Sequence, residues 1–173
     1  MNNFEKHARA EFQAVGWMDE NGKFKDEMQA LICADILDLL NLFSKQGHSG
    51  MSANLVVNLF TKLAKYGTLY CLSPDFSGNK YVRKLPIKSW EDTCSYIEAM
   101  DLIISIDTSL IHLAGAIGKK SFLLLPWVCE WRWLVDQEDS PWYESIKIIR
   151  QKSLGDWSYV INKVENEISS LSL

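Results

Sequence analysis

The spacing of apolar residues changes character at Gly67, and the two sides of that point predict different architectures. From Asn3 to Gly67 the rhythm is helical. Phe4, His7, Ala8, Glu11 and Phe12 recur at i, i+3/i+4 intervals, and Gly16 stands where such a helix ends. Asp19-Glu-Asn-Gly22 is a turn signal. A second helix is predicted from about Lys25 to Lys45, with Met28, Leu31, Ile32, Ile36, Leu39, Leu40 and Phe43 as its buried stripe. Gln46-Gly-His-Ser-Gly50 breaks it. Ser52 then caps a third helix carrying Leu55, Val56, Leu59, Phe60 and Leu63.

Beyond Gly67 the apolar residues gather into short runs. Thr68 to Leu72, ended by Ser73-Pro74, suits a strand. Asp75 to Lys88 contains Gly78-Asn79 and Pro86 and reads mainly as loop. Ser89 caps a helix over Trp90 to Met100, whose first turn holds Glu91 and Asp92, the sign that the helix dipole favours there. Leu102 to Ile106 is a continuous apolar run of the kind buried on both faces of a sheet. A helix from Ser109 to Ile117 stopped by Gly118, a strand over Ser121 to Leu125, a strand over Ile146 to Arg150 and a helix from about Trp157 to Leu171 complete the series. Helices alternating with buried strands predict an α/β fold with a parallel sheet of three to four strands. The expected organisation is a helical segment over residues 1–66 and a sheet-bearing unit over residues 67–173.

Composition narrows the function classes. The chain has 173 residues, 47% of them hydrophobic and 23% charged, as expected of a globular protein rather than a disordered one. A net charge of -4 does not favour nucleic-acid binding through a basic surface. The polar stretch Met1 to Glu11 is not a secretory signal. The longest apolar run, Ser121 to Trp127, is far below the ~20 residues a membrane helix needs. Both features predict a cytoplasmic protein. Cys33, Cys71, Cys94 and Cys129 are scattered, with no histidine at ligand spacing, so free thiols are expected and no metal.

Candidate chemistry concentrates where a strand meets a helix. Asp107-Thr-Ser-Leu-Ile-His112 follows the Leu102–Ile106 run and opens the next helix. In parallel sheets, ligands bind outside the carboxyl ends of the strands, and a helix N-terminus there offers unpaired N–H groups suited to a phosphate. Thr108 and Ser109 can add hydroxyl donors, and His112, one turn on, can reach the same ligand. Helix capping by Asp107 or Thr108, with His112 as a core residue, explains the pattern equally well. Trp127, Trp131, Trp133 and Trp142 surround Arg132, which offers stacking surfaces and a cation for phosphate. A packing cluster over the sheet edge is the simpler reading of the tryptophans, and the role of Arg132 stays open. His48-Ser49 lies in a glycine-flanked break, better explained as a helix end than as a nucleophile–base pair.

Two family resemblances attach to these residues. The run Met100 to Lys119, with Asp107-Thr-Ser and His112-Leu-Ala-Gly-Ala116, resembles the donor-site signature of heptosyltransferase-like glycosyltransferases. Leu124 to Trp133 and Glu138 to Tyr143 resemble the related enzymes associated with tetratricopeptide repeats. This resemblance spans about Thr68 to the C-terminus and implies the C-terminal, Rossmann-like half of a GT-B enzyme. It implies that Asp107, Thr108, Ser109 and His112 lie against the diphosphate and sugar of a nucleotide sugar, with Arg132 as a further substrate contact. No cofactor is implied. The acceptor domain, its catalytic base and the first strands of the donor domain have no counterpart here, so the expected protein is incomplete as an enzyme. Phe4 to Ala8, Gly16 to Glu20, Asp26 to Met28 and Lys45 to Gly50 resemble the start of an uncharacterised tailed-phage protein family, over about Asn3 to Leu69.

Two functions follow as expectations. The first is a glycosyltransferase-like protein that binds a nucleotide sugar at Asp107–His112. The alternative is a non-catalytic phage-type accessory or interaction protein on a relic scaffold. A small sheet with open edges also predicts self-association or a partner chain.

Overall fold

A computed structural model describes residues 30–34, 52–73 and 82–171, with side chains from 58 to 73 and from 82 onward. The elements in chain order are β1 (Ala30–Ala34), α1 (Ser52–Leu63), β2 (Gly67–Cys71), β3 (Val82–Lys84), α2 (Trp90–Ala99), β4 (Leu102–Ser105), α3 (Ser109–Ile117), β5 (Ser121–Leu125), a 3-10 turn (Trp131–Trp133), β6 (Ile146–Arg150) and α4 (Trp157–Ser169). The six strands form one sheet in the order β3-β2-β1-β4-β5-β6. Every neighbouring pair is parallel. The chain winds outward from β1 to β3, then returns to β4 on the other side of β1. That reversal makes the β1–β4 pair the switch point of the sheet, the place where doubly wound sheets take their ligands at the strands' carboxyl ends.

The α/β class holds, but the sheet is larger than expected, for two reasons. Ala30-Leu-Ile-Cys-Ala34 is a strand, not part of a helix over Lys25 to Lys45. Ile32 is in register with Leu69 on one side and Leu102 on the other. Leu31 and Ile32 fit a helical stripe as well as a short apolar run, and periodicity alone cannot separate the two. Pairing on both edges decides for the strand, and β1 brings residues from before Gly67 into the centre of the sheet. The second reason is Val82–Lys84, which adds an edge strand inside the stretch expected to be loop. Its exposed Arg83 and Lys84 make it a short, charged edge that resists further pairing. The helix expected over Phe4 to Gly16, the turn at Asp19 to Gly22 and the break at Gln46 to Gly50 lie outside the described residues.

Period-2 alternation sends side chains into a layer on each face. Leu102, Ile104, Phe122 and Leu124 meet Leu59, Phe60 and Leu63 of α1 and Trp157, Val160 and Val164 of α4. Ile103 points the other way, toward Tyr96 and Ile97 of α2 and Ala114 of α3. Leu123 and Leu125 pack with Ile111 and Trp133. The far edge, β6, is covered by its own preceding loop. Asp139 forms an antiparallel bridge to Lys147, and Ile148 N–H donates to the Glu138 carbonyl at 2.6 Å.

Helix ends follow the local chemistry. Ser89 Oγ accepts from the Asp92 N–H at 3.2 Å while the Asp92 carboxylate accepts from Ser89 N–H at 3.0 Å, a complete capping box. Gly118, at φ 77°, closes α3 in the left-handed conformation. No helix among the described residues is long and apolar enough to cross a membrane.

Charge ties α4 to the sheet. Glu167 accepts from Lys147 at 2.7 Å and from Lys163 at 3.1 Å, and the Lys147 hydrogen bond is the main cause that holds its carboxyl below the ordinary value of 4.5. A depressed carboxyl contributes stability above its unfolded-state value and loses it as pH falls through the lowered folded-state value. Stability should therefore decline below about pH 4.5, and Glu167→Gln should flatten that decline. Denaturant midpoints measured between pH 7 and 3 check this; an unchanged slope in the variant would count against it.

Candidate functional site

The β4–α3 junction places the expected site residues, but on two sides. Strand β4 ends at the fully buried Ser105, whose Oγ lies 3.4 Å from Thr108 Oγ1. Thr108 is the N-cap of α3, in extended backbone (φ -135°), and its side chain makes no capping hydrogen bond. The first N–H groups of α3 therefore lack a side-chain acceptor.

Thr108 and Ser109 line a cleft of about 390 Å³ between the N-termini of α2 and α3. Leu72, Ile87, Lys88, Ser89 and Trp90 form its other walls. Trp90 is 60% exposed there. The two helix ends differ electrostatically. Asp92 occupies the N–H groups of Lys88, at 2.8 Å, and Ser89, which neutralises the α2 end. The α3 end has no such carboxylate.

Asp107 faces the other way, into a second cleft of about 380 Å³ with Leu125, Pro126, Val128 and Glu130. Here the structure brings Asp107, His112 and Arg132 together. Asp107 Oδ1 is 3.4 Å from His112 Nε2, and Asp107 Oδ2 is 3.9 Å from Arg132 Nε. Arg132 also lies 3.8 Å from Glu130. The second ring nitrogen of His112, Nδ1, is 3.2 Å from Tyr143 Oη. Both ring nitrogens of His112 thus face a polar side chain of this protein. The ring stacks on Trp133 at 5.3 Å between centroids and 25° between planes.

His112 is contacted by this chain's own groups on several sides, with its side chain 34% exposed. Its neighbours Asp107, Tyr143 and Trp133 link α3 to the β5–β6 loop. Tyr143 and Trp133 were not singled out as partners of His112 from sequence. Tyr143 is 31 residues away, and nothing local fixes where such a loop returns. Trp90 and Lys88 were missed because they sit at a helix start that capping explains on its own. The tryptophans do not form one packing cluster. Trp133 is fully buried, whereas Trp127, Trp131 and Trp142 are 51%, 76% and 58% exposed.

No curated protein matches this chain. No glycosyltransferase family model matches either, so the expected glycosyltransferase identity, and the nucleotide-sugar roles it implied for Asp107, Thr108, Ser109, His112 and Arg132, are withdrawn. The uncharacterised tailed-phage resemblance at the N-terminus gives way to a described family. Residues 2–75, a stretch that takes in β1, α1 and β2, match the family model described as Type I Thoeris inhibitor Tad3, a phage anti-defence family.

Proposed function

We propose that this chain is a non-catalytic phage accessory protein that counters a type I Thoeris defence inside the infected cell. The family match over residues 2–75 carries this reading. The matched segment supplies β1 and β2, two of the strands around which the sheet is wound, so it belongs to the same sheet as the candidate site. The site supports a binding role over a chemical one. Asp107 lies 3.4 Å from His112 and 3.9 Å from Arg132, and His112 reaches Tyr143, an arrangement that links α3 to the β5–β6 loop. Thr108 and Ser109, together with Trp90, form a cleft wall rather than a nucleophile–base pair.

Inhibition by binding requires only that the chain reach its target in the defended cell. Phage plating on bacteria carrying a type I Thoeris system is the direct test. Expression of the chain should restore plaque formation toward that of undefended cells. Plating that stays as low as with an empty vector would refute the proposal.

A further inference from the structure

A third cleft, of about 360 Å³, opens beside the edge strand β6, with the β5–β6 loop on one side and α4 on the other. Gln151, the residue that follows β6, lines this cleft yet is only 1% exposed. Its side chain is fixed from one end. Oε1 accepts from the Trp127 N–H at 3.0 Å and from the Gly155 N–H at 3.3 Å. Two backbone donors on one atom settle which end of the amide is the oxygen, so the other end carries the N–H groups. That Nε2 is buried and has no hydrogen-bond partner among the described residues. A buried amide donor without an acceptor is costly, and native proteins keep few of them. Trp127 and Gln151 follow β5 and β6, so the cleft reaches the carboxyl ends of two parallel strands, the end of such a sheet at which ligands are held.

The charged groups of the cleft differ in what they are already bound to. Arg150 donates to the carbonyls of Trp133 at 3.1 Å and Leu134 at 2.7 Å. Lys163 pairs with Glu138 at 3.4 Å and with Glu167 at 3.1 Å. Lys152 is different. It has no ion pair among the described residues, and its ammonium lies 4.6 Å from the centre of the Tyr159 ring. On the loop side, Asp136 also lacks an ion pair among the described residues. Trp127, 51% exposed, adds a flat apolar wall.

These groups call for a ligand with three parts. A ring stacks on Trp127. An anionic oxygen group takes the Lys152 charge and the Gln151 Nε2 donor. Hydroxyl or amino donors meet the Asp136 carboxylate. A nucleoside monophosphate carries all three, and the cleft falls within the ~300–1,000 Å³ of small-molecule pockets. We infer that this cleft binds a nucleoside monophosphate, its base on Trp127 and its phosphate at Lys152 and Gln151 Nε2. Such binding is independent of the anti-defence reading, since every residue of the cleft lies beyond the segment 2–75 that carries it.

Calorimetric titration of the full chain with AMP, GMP, CMP and UMP, with the matching nucleosides and with inorganic phosphate tests it. At least one monophosphate should bind at least tenfold more tightly than its nucleoside and than phosphate, and less tightly as salt rises. Trp127→Ala and Lys152→Ala change exposed side chains, so their thermal melts should match the parent. Each should weaken that binding about tenfold or more. Gln151→Glu keeps an oxygen to accept the Trp127 and Gly155 N–H groups and replaces the Nε2 donor by a second carboxylate oxygen, so it should abolish binding. If Gln151→Glu does not fold, the two surface variants decide. The inference is overturned if none of the monophosphates binds, or if each binds within tenfold of its nucleoside or of inorganic phosphate. It is overturned equally if the surface variants, or a folded Gln151→Glu, bind like the parent.

Discussion

Trp157→Ala should lower the stability of the protein by about 3–5 kcal/mol, the usual cost of deleting a fully buried tryptophan. Trp157 opens α4, with Asp156 capping that helix by accepting from the Tyr159 N–H at 3.1 Å. Its side chain is wholly buried in the layer where α1 and α4 meet the sheet. Its cluster companions Phe122 and Ile149 stand on β5 and β6. Since a domain is stable by only about 5–15 kcal/mol, the variant should sit close to its unfolding threshold. Urea denaturation should show a much lower midpoint with an unchanged slope. A loss below about 1 kcal/mol would mean that the α1–α4 layer rearranges around the gap, contrary to the close packing of interiors.

The same layer shows how far sequence reasoning reaches. Leu102–Ser105, Ser121–Leu125 and Ile146–Arg150 were legible because strands buried on both faces leave unbroken apolar runs bounded by turn residues. The start of α2 was legible because Ser89 and Asp92 are a capping box in sequence as well as in space. Ala30–Ala34 was not. Its five residues carry no signal that distinguishes a central strand from one turn of a helix, and its identity comes from partners at Leu69 and Leu102. Val82–Lys84 is a strand only because β2 lies beside it.

The candidate site was legible as a place but not as a set of contacts. Asp107 to His112 does lie at the carboxyl end of β4, where topology puts ligands. The division of its residues between two clefts depends on the loop path from Trp127 to Tyr143, which no periodicity encodes. The glycosyltransferase resemblance failed at this point for a physical reason. A buried strand and small residues on the following helix are what a closely packed βα unit of a doubly wound sheet requires. Ala114 is fully buried against β4, and Gly115 meets the returning loop. Packing needs explain the run without a donor sugar.

Gly115 carries the sharper prediction. A Cβ there would stand 2.5 Å from Tyr143 Cγ, 2.7 Å from Tyr143 Cδ1 and 2.8 Å from Ile146 Cδ1, closer than real atoms approach. In an open helix, Gly→Ala gains about 0.5–1 kcal/mol. Here overpacking costs about 1–3 kcal/mol, so Gly115→Ala should be destabilising on balance. The source of the cost can be isolated. Ile146 offers only the end of a flexible side chain, whereas Tyr143 presents its ring, tied through its hydroxyl to His112. In a Tyr143→Ala background the alanine should be neutral or favourable. The double-mutant cycle should then show a coupling of about 1 kcal/mol or more, well beyond the ~0.3–0.5 kcal/mol scatter of independent sites. Additive effects within that scatter would show that Gly115 is not where the loop seats. With coupling present, Gly115→Ala alone should also loosen the loop, because Tyr143 and Trp133 brace its two arms through His112. Amide exchange around Trp131 to Leu134 should rise in that variant and return toward the parent rate when alanine reverts to glycine. Protection unchanged at those amides would leave Arg150 and the buried Trp133 as the groups that hold the exposed tryptophans in place.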